Sequence, residues 1–443
     1  MESPRGDSTA LGDEAIAVRG CSIETPALRS VLEVVGAPRI GWTAPTTSVV
    51  AGGAAVTLSA SGPERFGRLR TEADDLFERV RTPESLPDGA RPRLFGGFSF
   101  TADSSAEGPW RGYPDAWFTL PAIQVSITSD GTWLTTAAIG PDADEAASER
   151  LDRWRDRIAS LPVFEPGAPP GVESRRHTPE LPEWREAVES VVDRIGDGDL
   201  RKVVLAQSLS ADLAREPRVV DILARLGKSY PGCYQFLFEP EDSPSFLGAT
   251  PERLVKMRGR TVDTEALAGS IGRGETKDED DWLEAQIRDS EKNNHEHGLV
   301  VDAVCDQLAA MTTDIETGDR TVRKLSNVQH LQTPIRATLD DDRHVLELVE
   351  QLHPTPAVGG LPPEAARQTI RDLGGFDRGW YAAPVGWIDE HGDGTFLVAI
   401  RSAVTDNTTA TMFAGAGIVD DSDPDEEYDE IQLKFRPILD ELT

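Results

Sequence analysis

Four side chains stand where chemistry needs them and bulk water does not: Lys202, Glu252, Glu296 and Arg401. Lys202 opens the apolar run Val203-Val204-Leu205-Ala206, and a lysine in dry surroundings loses affinity for its proton, which suits it to act as a base near neutral pH. A strand-end lysine reaching out to solvent along its own stem is the ordinary alternative. Glu252 follows Pro251 in LGATPERL, where an apolar strand gives way to a turn; partial burial there favours the protonated acid, and a plain pairing with Arg253 is the alternative. Glu296 lies just before Leu299, Val300, Ala303, Val304 and Leu308, the apolar stripe of one helix, so its carboxylate needs a partner. A second helix supplies candidates in Glu427, Glu430 and Lys434, beside a stripe of Tyr428, Ile431, Phe435 and Ile438. Three carboxylates from two helices make a hard oxygen site suited to Mg²⁺, although in so acidic a chain a solvated face explains any one of them alone. Arg401 lies inside the apolar run FLVAIRSAV, where a guanidinium is costly unless it grips an anion, and Gly415 and Gly417 let backbone come close to a ligand.

The elements that position these residues read clearly after Glu183. A helix (EWREAVESVVDRI), a GDGD turn and the strand RKVVLAQSLSADL lead to strands at YQFLF, SFLGA, RLVKM and RTVDTEAL, with Arg258-Gly259 as a hairpin turn. One helix is expected from about Asp280 to Met311. The strands FLVAIRSAV and ATMFAGA then flank a turn at Asp406-Asn407, and the last helix runs from Pro424 to Leu439, capped by Asp423 with Glu426 at capping-box spacing. Before Leu161 there are short strand-like runs (FGGFSF, AWFTLPAIQVSI) and one charged helix, DADEAASERLDRWRDRIASL, without a catalytic pattern. The Pro- and Gly-rich segment from Pro162 to Trp184 reads as a surface crossing, which divides the chain near Pro179 into residues 1–178 and 179–443.

Nine of these segments, in order, resemble the chorismate-utilising enzymes, a group that includes isochorismate, anthranilate, aminodeoxychorismate and salicylate synthases. They are Lys202 in KVVLA, Glu252 in LGATPERL, Gly269 and Ser270 in TEALAGS, Glu296 in HEHGLVVDAV, His330 in VQHLQTPI, Ala357 in HPTPAVGG, Tyr381 in GWYAAPVGW, Arg401 in VAIRSAV, and AGAGIV running into EYDEIQLK. The resemblance implies an α/β (α+β) fold: one large unit of two stacked, mainly antiparallel sheets wrapped by helices, with residues 1–178 as its divergent half. It also implies roles. Lys202 is similar to the base that activates water at ring carbon 2, and Glu252 to the acid that protonates the departing 4-hydroxyl. Glu296 and Glu430 are similar to direct Mg²⁺ ligands, with Glu427 acting through water. Arg401, Lys434 and the amides near Gly415 and Gly417 are similar to the groups that hold the enolpyruvyl carboxylate, with Tyr381, Gly269, Ser270, Ala357 and His330 also facing the substrate. His330 is open between a substrate contact and a packed core histidine; His353 reads as structural.

Within the group, Ala268 stands where aminodeoxychorismate-type enzymes carry a lysine nucleophile, and a basic residue at Lys202 suits water instead of ammonia. That leaves isochorismate and salicylate synthases. GWYAAPVGW resembles the isochorismate synthases of menaquinone biosynthesis, and Ala357 fits them, since pyruvate-eliminating relatives carry threonine nearby. The expected activity is therefore Mg²⁺-dependent conversion of chorismate to isochorismate. Its rivals are a salicylate synthase and a chorismate-binding regulatory protein without turnover, the latter disfavoured by the presence of Lys202, Glu252, Glu296 and Glu430 together. No glutamine amidotransferase partner is expected.

Composition narrows the setting. Asp and Glu number 77 against 45 Lys and Arg, a formal charge of −32, which opposes nucleic acid or an anionic membrane as partner. With 38% hydrophobic residues the chain is nonetheless a folded one whose charge is a solvated surface. Only seven of the cations are lysines, none before Lys202, and the reading is a halophile's enzyme kept soluble where salt screens its self-repulsion. Cys21, Cys233 and Cys305 are odd in number and widely spaced, which implies a reducing compartment and no zinc site. The N-terminal MESPRGDSTALGDEAIAV lacks a basic start and an apolar core, and no run reaches the roughly 18 apolar residues of a membrane helix. The expected location is the cytoplasm.

Overall fold

The strand Ala116–Thr128 is the branch point of the molecule: one edge pairs along its whole length with Thr47–Ala60, and the other is divided between Leu94–Phe98 and Gly131–Ile139. The computed structural model describes residues 14–443, so most of the N-terminal stretch read for a leader lies outside the described residues. From the branch point one arm of the ladder runs through Thr47–Ala60, Arg39–Ala44, Tyr234–Glu239, Ser245–Thr250, Ser402–Asp406, Thr409–Ile418 and Lys202–Leu213. The other runs through Leu94–Phe98, Pro384–Ile388, Gly394–Val398, Arg253–Arg258, Thr261–Gly272 and Val328–Leu339. The two expected layers are thus arms of one continuous sheet of 21 strands, antiparallel at every described pairing except Ile16–Ser22 with Val80–Arg81. Both halves of the sequence contribute strands to each arm, and one apolar core joins them.

The chain crosses between arms at two short links. Ser245–Thr250 of the first arm runs into Arg253–Arg258 of the second, and Gly394–Val398 of the second returns through Ala399-Ile400-Arg401 to Ser402–Asp406 of the first. The links are bonded to each other: Val398 N donates to Glu252 O at 3.1 Å, Thr250 Oγ1 donates to Val398 O at 2.7 Å, and Ala249 N donates to Arg401 O at 3.1 Å. A residue on such a link is not bound to the up-and-down alternation of a strand, so it can aim between the layers. Glu252 and Arg401 are those residues.

Four local expectations change. FLVAIRSAV is two strands, broken where Arg401 takes a left-handed backbone conformation (φ +52°) that costs about 1–3 kcal/mol in a non-glycine residue. The expected long helix is two, Lys277–Asp289 and Glu291–Ala309, because Ser290 ends one and caps the next by accepting from Asn293 N at 3.2 Å. The buried stripe of the second is His297, Val300, Val304 and Leu308. The crossing near Pro179 contains a strand of its own, Val172–Thr178, on the outer edge of Lys202–Leu213; its polar VESRRHT sequence hides it, since an exposed edge strand needs no apolar face. The last helix does run from Pro424 to Leu439, with Asp423 accepting from Asp425 N and Glu426 N.

Candidate active site

A cavity of about 330 Å³ opens between the arms, and all fourteen candidate residues line it. The Lys202–Leu213 and Thr409–Ile418 strands supply one wall, Thr261–Gly272 and Val328–Leu339 another, and the helices Glu291–Ala309 and Pro424–Leu439 lie across the opening.

Lys202 is 1% exposed, and its Nζ donates to Glu296 Oε1 at 2.7 Å. The expected free amine is therefore an ion pair here, and the carboxylate read as a metal ligand is the lysine's counter-charge. Gly417 makes room for both: a Cβ there would sit 2.8 Å from Lys202 Cε and 3.1 Å from Glu296 Oε1. Gly415 does the same for Tyr381, whose hydroxyl would lie 3.2 Å from a Cβ at that position. Tyr381 stacks on Phe413 at 5.3 Å between ring centres, and burial pushes its phenol up to about 12, so it stays a neutral donor.

Glu252 is 5% exposed. Burial, followed by the nearby charge of Glu265, raises its carboxyl to about 8, while Lys202 and the Thr355 hydroxyl pull the other way. It is thus an acid holding its proton at neutral pH.

Arg401, 6% exposed, has no carboxylate in ion-pair contact among the described residues; its guanidinium donates to His330 Nε2 at 3.4 Å. On the other side of the ring, His330 Nδ1 faces Gly269 O at 3.2 Å and Ser270 Oγ at 3.0 Å. Because a carbonyl only accepts, Nδ1 carries the hydrogen and Nε2 is free to accept from Arg401. Burial and the Arg401 charge hold His330 far below the usual imidazole range, so the ring is neutral and braces the arginine. His330 lines the cavity, whereas His353 is absent from the lining and bonds Phe100 O at 3.0 Å.

The last helix carries the remaining charges. Lys434 Nζ bridges Glu430 Oε1 (2.6 Å) and Gly415 O (2.7 Å), tying the helix to the glycine strand. Burial alone would raise Glu430, but Lys434, Ser270 and Arg401 bring its carboxyl below the usual range. Glu427 accepts from Ser422 Oγ at 2.7 Å and is pushed up to about 7 by burial and by Glu430. Among the described residues no three metal-ligating groups stand as a ready cage. The donor chemistry fits a hard divalent cation all the same: two mutually repelling carboxylates and Glu296 line one wall, and a cation relieves that repulsion.

Several residues here escaped the sequence reading. Lys292, at the mouth, lies 3.6 Å from Asp421 and 3.9 Å from Glu427. Arg378, fully buried, donates to Val204 O (2.6 Å) and Val358 O (3.0 Å) and lies 4.5 Å over the Phe100 ring, tying the lysine strand to the HPTPAVGG loop. Its signal was an arginine between Asp377 and the apolar Trp380–Ala383 run; Lys292 left none, being one charge in an exposed first turn.

Comparison with known proteins fits this geometry. The family model described as chorismate binding enzyme matches residues 23–443. The chain belongs to that family. It is 36% identical over 383 residues to the isochorismate synthase MenF of Bacillus subtilis (strain 168), covering 86% of this chain and 80% of that one. To the salicylate biosynthesis isochorismate synthase of Pseudomonas aeruginosa it is 35% identical over 426 residues, covering 93% and 87%. Among solved structures, MenF, the menaquinone-specific isochorismate synthase from Escherichia coli, superposes with a TM-score of 0.81 at 25% identity, covering 97% of this chain and 96% of that one. Anthranilate synthase component I from Streptococcus pneumoniae shares the fold at TM-score 0.73 and 21% identity, over 89% and 93%.

Proposed function

We propose that this chorismate-binding enzyme is an isochorismate synthase, adding water at ring carbon 2 of chorismate as the 4-hydroxyl departs, in the menaquinone pathway. The observation that carries the reading is the pairing, across one cavity, of a buried lysine with a carboxylic acid held in its protonated form. Relatives named isochorismate synthase, at 35–36% identity over most of the chain, support it.

The chemistry divides between two faces of the ring. Lys202 takes a proton from water as its oxygen bonds to carbon 2; the double bond shifts, and Glu252 gives its proton to the 4-hydroxyl, which leaves as water. Atoms balance, one water entering and one leaving. Arg401, unpaired by any carboxylate among the described residues and braced by His330, receives the enolpyruvyl carboxylate with help from Lys434 and the Tyr381 hydroxyl. Glu296 and Glu430, with Glu427 through water, would hold a magnesium ion that neutralises the ring carboxylate. For Lys202 to serve as base its amine must part from Glu296, so engagement of Glu296 elsewhere and release of the lysine belong to one event.

The test is product analysis by chromatography after incubation with chorismate and magnesium. Isochorismate from the wild type, and none from Lys202→Ala that still binds chorismate, is the expected pair of results. Fluorescent salicylate and pyruvate identify a salicylate synthase instead, and tight binding without product identifies a regulatory protein.

A further inference from the structure

Where the strands Arg253–Arg258 and Thr261–Gly272 part, backbone pairing stops at Lys256 opposite Asp263, and two side chains continue the seam. Thr264 Oγ1 donates to Leu254 O at 2.6 Å, and Glu265 Oε1 accepts from the backbone N–H of Arg253 at 3.4 Å. The Glu265 side chain is 7% exposed and lies outside the cavity lining. Its other oxygen accepts from Gln332 Nε2 and lies 3.6 Å from Arg323 NH1. A buried carboxylate is costly unless its lone pairs are met, and these three partners fix it in one orientation.

That orientation places it against the peptide joining Glu252 to Arg253. We propose that Glu265 is a positioning residue for the proton donor: its carboxylate anchors the Glu252–Arg253 peptide and faces Glu252 with a like charge. The role rests on Glu252 being the acid of the reaction proposed above. Glu252 is faced by identifiable groups: Lys202 from the first arm, Glu265 from the second, the Thr355 hydroxyl and the Tyr381 ring. Of these, Glu265 alone is anionic. Its charge favours the neutral form of Glu252 and opposes Lys202, which favours the ionised form. Arg323 offsets the Glu265 charge only in part, at 3.6 Å and one-fifth exposed, while Gln332 satisfies the same oxygen without any charge. Burial makes Glu252 an acid, and Glu265 keeps it one when a protonated lysine shares the cavity.

Two readouts separate this role from simple packing. Infrared difference spectroscopy of the whole protein follows the protonated carboxyl of Glu252, identified by its loss in Glu252→Gln, without requiring turnover. Its midpoint is expected near pH 8 in the wild type and about one pH unit lower in the isosteric Glu265→Gln, the order expected for removing one partly compensated charge. Arg323→Gln, which removes the offsetting cation, is expected to move the midpoint up, and Glu265→Asp to restore most of the wild-type value. The alkaline limb of the kcat/KM profile with chorismate should follow the infrared midpoint in each variant. An unmoved midpoint in both Glu265→Gln and Arg323→Gln, or a loss of rate in Glu265→Gln that is uniform across pH, overturns the proposal. If the midpoints shift as stated and the wild type forms no isochorismate, the carboxyl pairing stands and the catalytic reading of Glu252 fails.

Discussion

Replacing Glu252 with glutamine should make the protein a poor catalyst and a more stable one above neutral pH. The side chains have the same shape, but glutamine carries no acidic proton, so turnover of chorismate is expected to fall roughly 10²–10⁴-fold, the usual worth of a positioned general acid. Stability should move the opposite way. In the folded protein the carboxyl keeps its proton up to about pH 8, whereas the unfolded chain releases it near the ordinary 4.5. Between those values unfolding releases a proton, so raising pH favours the unfolded state and the wild type loses stability across that window. The full loss is of the order of 5 kcal/mol, at about 1.4 kcal/mol for each tenfold change in proton affinity. Glutamine does not titrate, and every other group cancels between the two proteins. Urea unfolding of both at pH 4.5, 7 and 9, in the same high salt, should show a gap near zero at the lowest pH, favouring the variant increasingly to pH 8 and constant beyond. A gap independent of pH, or a wild type more stable than the variant at pH 9, would refute the reasoning that burial holds this carboxyl protonated.

Two further outcomes follow from the cavity and one from the surface charge. Glu430→Gln should raise the magnesium concentration needed for half-maximal rate and lower the rate at saturation; an unchanged metal requirement in a titration counts against the carboxylate wall. Gly417→Ala places a methyl 2.8 Å from Lys202 Cε, at the flexible end of the catalytic side chain, so activity should fall at least tenfold with the melting temperature shifting little; normal activity would mean that the amine has no fixed position. With a formal charge of −32, self-repulsion should weaken folding and activity as salt approaches zero, recoverable with potassium chloride, and full activity in dilute buffer would reject adaptation to high salt.

How much of this was legible beforehand follows the physics of each residue. Periodicity and turn chemistry placed Lys202 and the last helix, and set both hairpin turns one residue early, the loops being Gly259-Arg260 and Asn407-Thr408, because each of these features is fixed by neighbours in sequence. Arg401 was legible as an oddity, a guanidinium in an apolar run, but not as a strand break: no glycine or proline marks the link, and the positive φ is imposed by crossing between arms. The division of the long helix at Ser290 was missed since a serine is tolerated inside a helix, and its capping role appears only once the chain turns there. The Lys202–Glu296 contact joins residues far apart in sequence through two elements that share no local signal, and spacing alone does not show that the expected base and the expected ligand meet at 2.7 Å. Glu265 sat unread inside TEALAGS for the same reason; its meaning lies in the neighbouring strand.

The most direct test of the account is to run the reaction in oxygen-18 water and weigh the isochorismate formed. Attack by an activated water, with departure of the original 4-hydroxyl, predicts one heavy oxygen in the product, in the new hydroxyl at carbon 2. Isochorismate that retains the substrate's own oxygen would contradict a mechanism built on Lys202 as base and Glu252 as acid.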